Sequence, residues 1–197
     1  MRILKISPKN FQEVIKKTIK SIQKGKVIVC PTDTVYGLLC DATNKKAVEK
    51  IFRIKRRPRG KPIPIFVRDI KTAKSLAFID RSQVKFLKKV WPGKITVILK
   101  PKRKSLKGIG KPKKEIGLRI PNFKLLNFLL KKLNRPLTGT SANISGKPAS
   151  GNLKEVMRQF KDKKHQPDLV IDAGNLPKSK PSTVLDLTIW PPKILRP

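Results

Sequence analysis

Acidic residues are the scarcest chemistry in this 197-residue chain, with 12 aspartates and glutamates against 48 lysines and arginines and a formal net charge of +36. A field of that sign attracts polyanions and repels cations, which keeps nucleic acid, anionic membrane surface and phosphorylated small molecules in view. Histidine is nearly absent: His165, in a lysine-rich turn, is the single copy. That excludes a multi-histidine zinc site and makes a serine–histidine triad hard to assemble. Cys30 and Cys40 are the only cysteines, nine residues between them, matching no zinc spacing and fitting a reduced, cytoplasmic compartment. No apolar run approaches the roughly 20 residues of a membrane span. The start, MRILKISPKN, lacks the apolar stretch of a signal peptide. Aromatics are 6% of the chain, few for a base-stacking nucleic-acid binder, and no recognised RNA module is present.

What is present is ordinary for a globular protein, with 38% hydrophobic residues. At this length one domain, residues 1–197, is expected, with enough buried surface to need no disulfide or metal staple. Lysines outnumber arginines 36 to 12 and run through the whole chain, a bias that genome or salt composition could produce without any partner. Two segments exceed this background. Arg53 to Lys61 holds six basic residues in nine, and Lys100 to Lys114 holds eight in fifteen with no acid. Phosphate contacts are expected there first. The second, punctuated by proline and glycine, reads as a mobile loop that serves RNA or nothing.

Helical and extended patterns alternate along the chain. Asn10 with Glu13 reads as a capping box for a helix carrying Phe11, Ile15, Ile19 and Ile22, closed by Gly25. Val27–Cys30 reads as a buried strand leading into the turn residues Pro31–Thr34. Asn44 caps a second helix ending near Lys55, and a strand is expected over Ile63–Val67. Asp69 and Asp80 cap two further helices, followed by a strand at Ile95–Leu99. The second half continues with a strand at Ile116–Ile120, a helix capped by Asn122 through Leu133, and a strand at Pro136–Thr140. A helix near Leu153–Phe160 and strands at Leu169–Ile171 and Thr183–Leu187 finish the order. Interleaving of this kind predicts an α/β or mixed α+β fold.

Familiar phosphate loops fail on inspection. Gly139 to Gly146-Lys147 has six residues between its glycines and Pro148 where a P-loop needs Ser or Thr, and Gly108-Ile-Gly110 lacks a third glycine. Three polar clusters remain at predicted strand ends, where ligands collect in open α/β sheets: Thr32-Asp33-Thr34 with Tyr36, Ser141 with Asn143, and Ser182-Thr183. Each alone is ordinary turn chemistry. Beside them lies Lys55-Arg-Arg-Pro-Arg-Gly-Lys61, whose prolines stiffen the presentation of cations able to clamp a triphosphate.

Taken in order, PTDTVYGL at 31–38, the pair Lys55 and Arg57, WPGKITVIL at 91–99, SAN at 141–143, STVLDLT at 182–188 and Ile194-Leu-Arg196 resemble the YrdC family, from about Asn10 onward. The resemblance implies a twisted mixed β-sheet flanked by helices around a large, positively lined cavity. It also implies an L-threonylcarbamoyladenylate synthase that joins L-threonine, bicarbonate and ATP and releases pyrophosphate. Partner proteins would then pass the threonylcarbamoyl group to position 37 of tRNA. The chain is similar to the short form that carries no appended second domain.

By the same resemblance, Thr34, Arg119 and Ser182 contact threonine, and Arg57, Lys61, Ser141, Asn143 and Arg196 contact ATP. Lys55 and Arg57 form the paired catalytic cations. Position 66, where longer relatives tend to carry histidine, is Phe66. The physical reading of the residues agrees: a substrate carboxylate needs a fixed cation such as Arg119. Attack by a carbamate on the α-phosphorus needs positioning and electrostatics, not a protein nucleophile. Mg²⁺ held by substrate and water, with no protein metal site, completes the expectation. The alternative is a paralogue of the same fold that binds nucleotide or RNA without forming the adenylate.

Overall fold

In the computed structural model, residues 1–59, 61–102 and 115–197 are described. Two mixed sheets and six α-helices account for the architecture. The five-stranded sheet has β1 (Arg2–Lys5), β9 (Leu169–Asp172), β2 (Ile28–Cys30), β3 (Gly37–Leu39) and β8 (Thr140–Ser141) side by side. The six-stranded sheet runs β11 (Lys193–Arg196), β10 (Thr183–Asp186), β5 (Ile95–Leu99), β6 (Ile116–Arg119), β4 (Ile65–Phe66) and β7 (Leu137–Thr138).

Period-two alternation sorts the core of the first sheet between two helix layers. Val29, Leu38 and Val170 face α2 (Lys45–Lys55) and α6 (Leu153–Phe160), whose Val48, Ile51, Val156 and Phe160 share their cluster. Ile28, Cys30, Leu39, Leu169 and Ile171 face α1 (Phe11–Gln23) and the leucine-rich α5 (Lys124–Leu133). The second sheet packs one face on α3 (Ile70–Leu76) and α4 (Arg81–Val90), while Phe66 and Leu137 at its β4–β7 edge join the cluster of α1 and α5. Val97, Leu99, Ile116, Leu118 and Leu185 pack with Ala73 and Leu76 of α3 and Leu87 of α4. Its other face presents the alternate residues Phe66, Thr96, Gly117 and Arg119, and there the site forms. The β6 sequence Ile-Gly-Leu-Arg carries both faces: Ile116 and Leu118 to the helices, Gly117 and Arg119 to the site.

Helix ends follow the expected chemistry in most places. Asn44, Asp69 and Asp80 accept hydrogen bonds from Ala47, Thr72 and Gln83 N–H. Gly25 takes the left-handed conformation just past α1, at φ 71°. Two caps differ. Asn10 makes no side-chain cap on α1; its amide instead closes a box with Ser7 across a short 3₁₀ turn and reaches the Lys5 carbonyl. Asn122 does not cap α5, which starts after Phe123; its N–H is drawn to Asp33 Oδ2 at 3.0 Å. The strand read over Ile63–Val67 contracts to Ile65–Phe66, because Pro62 and Pro64 offer no N–H to a ladder.

The strand read over Pro136–Thr140 is two strands on different sheets. β7 pairs with β4, β8 pairs with β3, and Gly139 is the link between them. A Cβ at Gly139 would lie 2.9 Å from ring carbons of Phe66, so only glycine lets the chain cross there. Three strands, β1, β3 and β11, lie outside the expected list. β3 is buried, β1 and β11 are exposed, and β11 closes a hairpin with β10. Of the basic run at Lys100–Lys114, residues 103–114 lie outside the described residues. Among the described residues no helix is long and apolar enough to cross a membrane.

Candidate active site

The site is built where the sheets meet. A cavity of about 140 Å³ is lined by Thr34 and Ser141 from the five-stranded sheet's side, Arg119, Ser182 and Arg196 from the six-stranded sheet, and Arg57 from the segment after α2. A second recess, of about 500 Å³, shares Thr34 and Val35 with it and extends along Ser150, Asn152, Asn175 and Lys178.

Turn chemistry holds the Pro31–Tyr36 loop rigid. Thr32 Oγ1 donates to the Val35 carbonyl at 2.7 Å and accepts the Thr34 N–H at 3.0 Å, while the two threonine hydroxyls lie 3.1 Å apart. Such an ST turn satisfies the backbone locally and leaves the Thr34 hydroxyl at the cavity wall. Tyr36 anchors the loop from behind. Its hydroxyl donates to the Gly174 carbonyl at 2.7 Å and accepts the Ala173 N–H at 3.1 Å, and burial pushes its pKa up to about 12.

Guanidinium groups dominate the charge. Arg119 Nε donates to the Gly93 carbonyl at 2.8 Å and its Nη2 to Asp33 Oδ1 at 2.6 Å. The Phe66 ring lies 5.7 Å from its guanidinium carbon. Burial lowers the pKa of Arg119, Asp33 opposes that, and the nearby Arg196 charge adds to the lowering. Arg196 Nη2 and Nε hold the Ser182 carbonyl at 2.6 and 3.1 Å. The Ser182 hydroxyl is 3.0 Å from Thr96 Oγ1. Arg57 follows Arg56, which ends α2 in the left-handed conformation at φ 49°. Its Nε and Nη2 donate to the carbonyls of Lys61 and Pro62, and burial lowers its pKa.

Thr34, Arg57, Arg119, Ser141, Ser182 and Arg196 are therefore gathered as the sequence suggested; Lys55, Lys61 and Asn143 are not at the wall. Lys55 lies behind it, almost fully buried. Its Nζ donates to the carbonyls of Ser141 (2.6 Å) and Asn143 (2.9 Å) and to Asn143 Oδ1 (2.9 Å). Burial, with the Arg57 charge second, pulls its pKa down to about 7. Its reach is spent on shaping the 141–143 turn, where Ser141 Oγ also donates to Asn143 Oδ1 at 2.6 Å. Lys61 is exposed, and its contact with the site runs through the carbonyl that Arg57 grips.

Three contributors were not singled out from sequence, Thr96, Gly139 and the Gly93 carbonyl, while Phe66 stands out there only for replacing a histidine. Thr96 had a usable signal, as the one polar residue in the apolar strand Ile95–Leu99. The others act through backbone or ring contacts that composition does not carry. Asp33 stands out in sequence only as a member of the Thr32–Thr34 polar cluster, and its partner Arg119 is 86 residues away. For a metal, the donors do not fit a protein-held ion: both Asp33 oxygens are taken by Arg119 and Asn122, and no group of three or more His, Cys, Asp or Glu converges among the described residues.

Residues 20–197 match the family described as Telomere recombination, the Sua5/YciO/YrdC group. A putative threonylcarbamoyl-AMP synthase of Methanocaldococcus jannaschii is 37% identical over 95% of this chain and 86% of that protein. The uncharacterised Escherichia coli protein YciO is 34% identical over 97% of the chain and 92% of its own length. Among solved structures, Pyrococcus abyssi Sua5 complexed with L-threonine superposes with a TM-score of 0.87 at 31% identity. That match covers all of this chain and 56% of Sua5, so the chain spans little more than half of that relative. With the two-sheet fold and the arginine-lined cavity in place, these matches make the chain a member of the Sua5/YciO/YrdC family.

Proposed function

We propose that the protein is an L-threonylcarbamoyladenylate synthase, with residues 1–197 acting as one domain. The observation that carries this is the cavity in which Arg57, Arg119 and Arg196 converge with the hydroxyls of Thr34 and Ser182. A small amino acid with a hydroxyl and a carboxylate, joined to a nucleotide phosphate, presents the matching groups. Arg119 takes the threonine carboxylate, while Thr34 and Ser182 take its polar groups. Arg57 and Arg196 face the phosphates, and the 500 Å³ recess beyond Thr34 has room for the nucleoside.

Threonine nitrogen and bicarbonate give a carbamate with loss of water. A carbamate oxygen then forms a bond to the α-phosphorus, the α–β phosphoanhydride bond breaks, and pyrophosphate departs. The chain contributes orientation and positive charge aimed at the phosphates, with no covalent intermediate. Lys55 and Asn143 are positioning residues: the lysine fixes the turn that presents Ser141. ATP enters with Mg²⁺ as part of the substrate, held by phosphate oxygens and water, and among the described residues no carboxylate cluster competes for the ion. The adenylate is handed to proteins that modify tRNA, in the cytoplasm.

The test is incubation with ATP, bicarbonate and labelled threonine. Pyrophosphate and labelled adenylate are expected together, and neither when threonine or bicarbonate is omitted. ATP binding without adenylate at any bicarbonate or Mg²⁺ concentration would assign the chain to a nucleotide-binding paralogue.

A further inference from the structure

Asp33 is the one carboxylate paired with the cavity's arginines among the described residues, and it does not itself line the cavity; its neighbours Thr32 and Thr34 do. The Asp33–Arg119 pair is almost completely buried, with side chains 7% and 4% exposed. Each aspartate oxygen has a separate task. Oδ1 holds Arg119 Nη2 at 2.6 Å, and Oδ2 accepts the Asn122 N–H at 3.0 Å, just beyond the end of β6. One side chain therefore locks the Pro31–Tyr36 loop to the strand that carries Arg119. The Gly93 carbonyl fixes Nε, so the guanidinium plane is held at two points, and its remaining N–H groups are left for a ligand at the wall.

A buried ion pair gives little net stability over an apolar pair of the same size, which leaves fold stability a weak reason for this one. Its surroundings supply a better reason. Arg57, Arg119 and Arg196 line one small cavity, and Arg119 is the deepest of them, at 3% exposure. Without a fixed counter-charge, such a guanidinium is free to swing away from its neighbours.

We propose that Asp33 is a positioning residue for carboxylate recognition: by holding Arg119 from the side away from the cavity, it sets the affinity for threonine while leaving ATP affinity to Arg57 and Arg196. This rests on the synthase reading for the identity of the carboxylate substrate. Asp33 touches neither substrate and acts through Arg119.

Steady-state pyrophosphate release by Asp33→Asn, which keeps the shape and one acceptor but removes the charge, separates the two affinities. The threonine KM is expected to rise about tenfold, with the ATP KM within about twofold of wild type. In an Arg119→Ala background, Asp33→Asn is expected to add less than about twofold. Equal increases in both KM values, or a full effect of Asp33→Asn without Arg119, overturn the proposal. A second measurement needs no turnover: NMR exchange of the Arg119 Nη2–H in the ligand-free protein is expected to accelerate at least about tenfold in Asp33→Asn. Unchanged protection overturns the proposal. A wild-type enzyme that forms no adenylate overturns the synthase reading instead, and the exchange measurement still decides whether Asp33 holds Arg119.

Discussion

The two sheets border one cavity with different chemistry. The five-stranded sheet has helices on both faces and gives the site only its strand ends, a self-bonded threonine turn and the Ser141 turn. The six-stranded sheet packs one face on α3 and α4, and its other face supplies Arg119, with Ser182 and Arg196 from the adjoining hairpin. The doubly covered layer thus gives the Thr34 and Ser141 hydroxyls but neither Arg119 nor Arg196, which come with the Ser182 hydroxyl from the other sheet. Arg119 can be buried on the second sheet because a carboxylate from the loop after β2 reaches across to meet it. A fixed template of small polar groups sits opposite a set of oriented cations, an arrangement suited to a reaction in which charge moves between phosphates.

Removing charge from one sheet and hydroxyl from the other is the sharpest test of that division. Arg119→Ala is expected to weaken threonine binding about ten- to a hundredfold, the value of a charge-assisted contact near 1.5–3 kcal/mol, with ATP binding little changed. Thr34→Ala, losing a neutral hydrogen bond, should cost threonine roughly three- to tenfold. Calorimetric titration of each ligand reads both. Equal losses from the two variants would erase the distinction between the sheets.

The junction is tested next. Gly139→Ala places a methyl against the Phe66 ring and is expected to destabilise the fold by about 1–3 kcal/mol, with Phe66→Leu in the same chain restoring at least half. Urea midpoints measure this, and a Gly139→Ala protein as stable as wild type would show that the crossing tolerates a side chain.

The last test concerns Lys55. Its ordinary value is 10.5 and burial brings it to about 7, so between those pH values the unfolded chain binds a proton that the folded chain does not. Wild-type stability relative to Lys55→Met should therefore fall as pH drops from about 10.5 to about 7, then level off. A flat difference across that range would mean that the three carbonyl-type acceptors hold the ammonium throughout.

Much of this was legible in the chain because it is local. Asn44, Asp69 and Asp80 cap the helices they precede, since an N-cap depends on only the next three residues. The strand alternation in Ile116–Arg119 likewise depends on geometry two residues long. The failures have a matching cause. Asn10 has the right chemistry for a cap but its side chain is claimed by the Ser7 turn, and at Asn122 the backbone N–H is tied to Asp33 while α5 begins one residue later, after Phe123. What holds Lys55 was equally out of view, because its three acceptors lie 86 to 88 residues further on.

The sequence by itself determined the order of helices and strands, the polar clusters at the strand ends, the excess of positive charge and the family to which those ordered motifs point. Only the tertiary structure decided that Leu137–Thr138 and Thr140–Ser141 belong to different sheets, that Asp33 faces Arg119, and that Arg57 is at the cavity while Lys55 supports it from behind. Periodicity and capping are set by neighbours within one turn of helix or two residues of strand. Which cation is desolvated, and which carboxylate meets it, depends on groups brought together by packing from opposite ends of the chain.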